Sequence, residues 1–147
     1  MNKVRYKMRK ALLTILIIGF TLTSFAEVKP LKIIQVSGGC CHDYPRQQNI
    51  NKEGLEKRLN CKVDNFYEGH TREHRHSLLD KKDWSKGYDI VLFNVCYGGI
   101  TDAQFVSNIV AETAKNGKGA IFLHCSLHAF RTAKEGTKKW RELMGLT

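Results

Sequence analysis

Three short stretches of this chain concentrate the side chains able to bind or react. In Gly38-Gly39-Cys40-Cys41-His42-Asp43-Tyr44 an imidazole stands beside a carboxylate. His42 can move a proton near neutral pH or ligate a metal, with Asp43 as its orienter. Asp43 can equally cap a helix that starts just after it. The glycine pair either permits a tight turn with positive φ or bares backbone N–H groups for an anionic or hydroxyl-rich ligand. In the second stretch, Asn94-Val95-Cys96-Tyr97-Gly98-Gly99, Asn94 and Tyr97 can hydrogen-bond hydroxyls or merely end a strand and cover the core. The third, His124-Cys125-Ser126-Leu127-His128, carries two imidazoles four residues apart. With His42 they make a candidate three-imidazole site for a divalent metal. Cys125 stands where a strand-to-helix elbow exposes a nucleophile, but no glycines flank it, so a packed or idle thiol is the blander reading. His70, His74 and His76 lie in a charged segment and read as a solvated loop.

These stretches matter only if something brings them together. Leu31 to Ser37 is a β-branched apolar run stopping at Gly38-Gly39, the mark of a buried strand. Arg46 to Asn60 spaces Ile50, Leu55 and Leu59 as a helix would, and Cys61 to Tyr67 alternates as a strand nearer the edge. Glu68 to Lys86 is polar and predicts a long loop with at most a helical turn. Tyr88 to Val95 is uninterrupted and apolar at its centre, as suits a strand covered on both faces. Thr101-Asp102-Ala103-Gln104 has capping-box form, and Phe105, Val106, Ile109, Val110 and Thr113 share a helical face that ends at Asn116-Gly117. Gly119 to His124 predicts a fourth strand, and Trp140, Leu143 and Met144 a last helix whose packing has barely begun. Alternating strands and helices imply right-handed crossovers on a parallel sheet. With strand order 2-1-3-4, the three stretches share the carboxyl-end crevice where such sheets bind ligands.

Composition narrows the class. The chain has 147 residues and a net charge of +10. Lys3, Arg5, Lys7, Arg9 and Lys10 precede an apolar run from Ala11 to Phe20 and the small residues of Thr23-Ser24-Phe25-Ala26. That order of parts predicts a signal peptide over residues 1–26, export to the periplasm or beyond, and no stable membrane anchor after cleavage. The apolar run is short for a spanning helix of about 20 residues. Cleavage takes five cations and no acid, leaving +5. No basic stripe with interleaved aromatics remains, which argues against a nucleic-acid partner. All five cysteines (Cys40, Cys41, Cys61, Cys96 and Cys125) follow the signal, in no zinc-binding spacing. In an oxidising compartment one disulfide could form, its pairing not readable from the sequence, and the adjacent Cys40 and Cys41 are not expected to bridge each other. Cys61 and Cys125 are expected as buried free thiols.

The segments Ile33 to Gly39, His42-Asp43-Tyr44, Tyr88 to Asn94, and Gly117 to Arg131 with Trp140 downstream resemble, in order, the ThuA-like (trehalose-utilisation) family. The resemblance runs from about Leu31 to the C-terminus. It implies an α/β, flavodoxin-like three-layer sandwich over residues 27–147, related in fold to class I glutamine amidotransferases. It implies a role in using trehalose or related glycosides and keto-sugars, with a small carbohydrate as partner. His42, Asp43 and His124 would then be catalytic, and Gly38, Gly39, Tyr44, Asn94, Tyr97, Gly98 and His128 would bind substrate. Family members usually continue through further strands, so the chain reads as the N-terminal part of such a domain. No His-x-Glu follows Cys125, which disfavours glutaminase chemistry. A non-catalytic carbohydrate-binding module and a Cys125-dependent hydrolase are the two alternatives.

Overall fold

A computed structural model describes residues 28–146; the predicted signal peptide lies outside them. The strands are β1 (Leu31–Gly39), β2 (Cys61–Tyr67), β3 (Ile90–Cys96) and β4 (Gly119–Phe122). They form one sheet in the order β2-β1-β3-β4, and every pair is parallel. Helices α1 (Tyr44–Arg58), α2 (Ala103–Ala114) and α3 (Glu135–Leu143) cover its two faces. This is the expected three-layer α/β sandwich with the expected strand order. Among the described residues, no helix is long and apolar enough to cross a membrane.

The period-2 geometry of a strand divides the apolar residues between the faces. Ile34 and Val36 of β1, with Val91, Phe93 and Val95 of β3, point toward α2 and α3 and join Phe105, Val106, Ile109, Phe130 and Trp140. Ile33, Val63 and Leu92 point the other way, toward Leu55 of α1. Central strands buried on both sides are mostly apolar, which is why β3 reads as an apolar run up to Asn94 and β1 as one interrupted by Gln35.

The local signals held with shifts of one or two residues. Asp43 caps α1 by accepting from the Arg46 N–H at 3.1 Å, and Pro45 fits the first turn because its missing N–H would be unpaired there. The cap of α2 is Asp102, accepting from the Phe105 N–H at 2.9 Å, rather than Thr101 of the expected capping box. Strand β4 stops at Phe122, two residues early, and residues His124–His128 form a 3-10 turn. Helix α3 corrects the expectation of unfinished packing: Trp140 is fully buried, edge-on to Phe93, Phe122 and Phe130.

The loop from Glu68 to Lys86 is also less solvated than predicted. Leu79 and Trp84 belong to the core, and His76 is buried, capping the 3-10 turn Ser77–Asp80 by accepting from the Leu78 N–H. Glu68 binds the Ser77 hydroxyl and N–H and lies 3.0 Å from His74 Nε2. Burial pushes the Glu68 carboxyl up, but these bonds outweigh it and hold the group below its usual range. Only His70 remains exposed as expected; His74 is half-buried.

Candidate functional site

The carboxyl ends of β1, β3 and β4 open into a cavity of about 360 Å³. His42 enters it from the loop after β1, Asn94 from β3, and Leu123, His124 and Cys125 from the end of β4. Gln47 and Asn51, four residues apart on α1, complete the wall. That spacing puts both amides on one helical face. The Asn94 amide donates to Gln47 Oε1 at 3.3 Å. Asn51 is held from below: its amide donates at 2.8 Å to Gln35 Oε1, on β1. Gln35 is fully buried, and its own amide donates to the Gln48 carbonyl and to Asn65 Oδ1, so every polar atom of its side chain is satisfied.

The predicted site residues divide into two groups. His42, Asn94 and His124, far apart in sequence, meet in this cavity. Asp43 is adjacent but its carboxylate is engaged at the α1 cap; the nearest ring to His42 is Tyr44, edge-on at 5.9 Å. The other group lies beneath or beside the cavity. Tyr44 is buried with its hydroxyl donating to the Cys40 carbonyl at 3.1 Å. Tyr97 is buried too, donating to the carbonyls of Glu68 and Ser37. Burial, with the Cys96 and Cys125 thiols for Tyr44 and the Glu68 carboxylate for Tyr97, pushes both phenols far above their ordinary value. They stay protonated and structural.

The glycines are spacers rather than donors. A Cβ on Gly38, at φ +146°, would collide with the Glu68 carbonyl and the Tyr97 hydroxyl, and Gly39, at φ +103°, backs onto Cys96. The Gly39 N–H already donates to the Gly69 carbonyl at 3.1 Å. Gly98 likewise admits the backbone of His128 and the Arg131 side chain. His128 is exposed outside the cavity, its ring 6.0 Å from that of His124. Among the described residues the three imidazoles do not gather as metal ligands would: His42 and His124 line the cavity, and His128 is outside its lining.

A group of sulfurs occupies the rim instead. Donor atoms of Cys40, Cys41 and Cys96 lie within 4.8 Å of one another, the one such group of three metal-binding side chains among the described residues. Cys40 and Cys41 are joined as a vicinal disulfide, against the expectation that neighbours would not bridge. Cys41 is in the left-handed region, φ +86°, which swings its side chain to the side of Cys40. Two thiolate ligands are thereby removed from any metal, so this form does not suit an ion. Cys96 Sγ sits 3.7 Å from Cys40 Sγ. Cys125 is half-buried, not enclosed as expected, with Sγ 3.9 Å from His124 Nδ1; Cys61 is the buried free thiol anticipated.

Sequence reasoning missed Gln47, Asn51 and Gln35. The i, i+4 amides on the helix after the first strand were the available signal for the first two, and a glutamine inside Ile33-Ile34-Gln35-Val36 was the signal for the third. A larger cavity of about 580 Å³, at the opposite end of the strands, is lined by Asp83, Glu112 and Lys115 among others. There Lys115 pairs with Asp83 and Glu112. Comparisons with protein-family models, with curated proteins and with solved structures find no match for this chain.

Proposed function

We propose that the chain is an exported ThuA-like domain that binds a small carbohydrate at the carboxyl-end rim and serves carbohydrate utilisation. The observation that carries this reading is the cavity where His42, Asn94 and His124 meet the Gln47 and Asn51 amides. Each amide offers donors and an acceptor, which matches the dual character of sugar hydroxyls. A few fixed polar groups in a concave site are what a small polar ligand needs. Asn94, Gln47 and Asn51 would hold hydroxyls. His42 and His124 would exchange protons with the sugar, since both imidazoles face the same space. Asp43 serves this site by starting α1, not by a contact with substrate.

The test is a panel of aldoses, glycosides and keto-sugars, read first by calorimetric binding and then by turnover. One sugar is expected to saturate, with at least about tenfold weaker binding for Asn94→Ala, the loss of roughly 1.4 kcal/mol from a hydrogen bond or two. Turnover should vanish in His42→Ala. No saturable binding, or an unchanged Asn94→Ala, sinks the proposal; binding without turnover, indifferent to His42, selects the non-catalytic module.

A second reading rests on Cys125, whose thiol lines the same cavity beside His124. A Cys125-dependent hydrolase would be labelled there by a thiol-directed probe in a manner that a bound sugar blocks.

A further inference from the structure

We propose that Cys41, Cys40, Cys96 and Cys125 form a thiol–disulfide relay, which moves a disulfide between the exposed loop after β1 and the rim cavity. The four residues run from outside to inside and out again: Cys41 is exposed, Cys40 half-buried, Cys96 8% exposed, and Cys125 lines the cavity. One link is already a bond, and the next is a sulfur–sulfur contact of 3.7 Å with a free thiol on the attacking side. Exchange needs a thiolate held against one sulfur of a disulfide, with the other sulfur free to leave. Cys96 has the placement and, once it has lost its proton, meets the first condition; the exposed Cys41 meets the second.

In the first step Cys96 loses its proton to solvent and its thiolate attacks Cys40 Sγ. The Cys40–Cys96 bond forms, the Cys40–Cys41 bond breaks, and the electron pair leaves on Cys41, which takes a proton from water. In the second step Cys125 loses its proton to solvent and its thiolate attacks Cys96 Sγ, breaking the Cys40–Cys96 bond. The Cys96–Cys125 bond forms, Cys40 leaves with the electron pair and is protonated. One disulfide and two thiols stand at the start and at the end, so no oxidant or reductant is consumed. Cys125 is a neighbour of both Cys96 and the Tyr44 hydroxyl: burial first, then that thiol, push Cys96 up. The Tyr44 hydrogen bond and the Arg72 charge pull the other way. Tyr44 itself stays protonated on the Cys40 carbonyl, so the proton lost first belongs to a thiol. Cys61, on β2 at the opposite end of the strand, lies outside the chain of sulfurs and serves as an internal control.

The relay does not depend on the sugar reading, because its test contains no sugar. The full chain, purified without reductant, is incubated between pH 6 and 9, quenched in acid, alkylated and mapped by mass spectrometry. Peptides linking Cys40 to Cys96, and Cys96 to Cys125, are expected beside the Cys40–Cys41 form. They should appear up to about tenfold faster per pH unit while the attacking thiol is mostly protonated. In Cys41→Ser treated with oxidised glutathione, the leaving sulfur is gone, so links to Cys96 should rise to nearly every molecule. Cys96→Ser should abolish any link between the Cys40-Cys41 peptide and Cys125. If that variant does not fold by circular dichroism, Cys41→Ser still decides. Complete alkylation of Cys96 at every pH overturns the relay. So do links to Cys61 as frequent as links to Cys96, and so does one retained metal ion per chain with all three rim cysteines reduced.

Discussion

The two faces of the sheet are built on different chemistry, although the same strands supply both. Toward α2 and α3, Phe93, Phe122, Phe130 and Trp140 meet at centroid separations of 4.9 to 5.4 Å, three of the four contacts edge-to-face and one stacked. Toward α1 the buried apolar set is only Ile33, Cys61, Val63 and Leu92, and a fully buried glutamine sits among the helix amides. Ile50 of α1 and Leu59, just past its end, remain more than half exposed. Apolar burial stabilises without direction, whereas a satisfied amide network fixes positions at little net gain. The comparison teaches a division of labour: the aromatic face holds the sheet together, and the amide face sets the geometry of the rim cavity.

The hardest way to break that contrast is to truncate equivalent anchors on both sides. Trp140→Ala removes a ring that touches three others and should cost about 3–5 kcal/mol. Leu55→Ala, half-buried against the other cluster, should cost under about 2 kcal/mol. Urea midpoints of the two variants check this directly. Equal losses would mean that α1 carries as much of the core as α3.

A smaller but more pointed effect is expected at Gln35. Gln35→Leu conserves bulk yet strips partners from Asn51, Asn65 and the Gln48 carbonyl, a cost of about 1–3 kcal/mol. Its signature is local. Asn51 and its neighbours on α1 should show changed amide shifts and faster hydrogen exchange, while the Trp140 side stays as it was. A Gln35→Leu protein with an undisturbed α1 would remove the claim that the network positions the cavity wall.

The contrast also explains what could be read from the residues alone. Strand order and the meeting of His42, Asn94 and His124 followed from apolar runs broken by glycines, because a parallel sheet buried on both faces leaves little topological choice. What escaped notice depended on backbone angles and on single residues. The Cys40–Cys41 bridge requires positive φ at Cys41, which no spacing announces. The stop of β4 at Phe122 was equally hard to place, since strand ends are blurred where apolar residues run on through Leu123. Trp140 near the end of the chain looked peripheral, yet contact with three rings makes it central.

The last effect is the smallest and sharpens the comparison through pH. Amides do not titrate, so the α1 face should hold its geometry between pH 7.5 and 5. On the aromatic side a buried imidazole, His76, 2% exposed, stands near Tyr97. Burial lowers its pKa, helped by the His74 ring and opposed by the Phe66 carbonyl and the Glu68 charge. Its folded pKa thus lies below the ordinary imidazole value of about 6.5, and the unfolded chain takes up the proton first. The stabilisation is complete above pH 6.5 and declines as the pH falls toward the folded pKa, by less than about 1.4 kcal/mol for each pH unit. His76→Asn keeps an acceptor for the Leu78 N–H and cannot titrate, so it should flatten the fall in melting temperature over this window. Hydrogen exchange should locate the wild-type loosening in residues 68–80 and leave residues 44–58 unchanged. A variant that tracks the wild type, or loosening that starts in α1, would show that the two faces respond to protons as one.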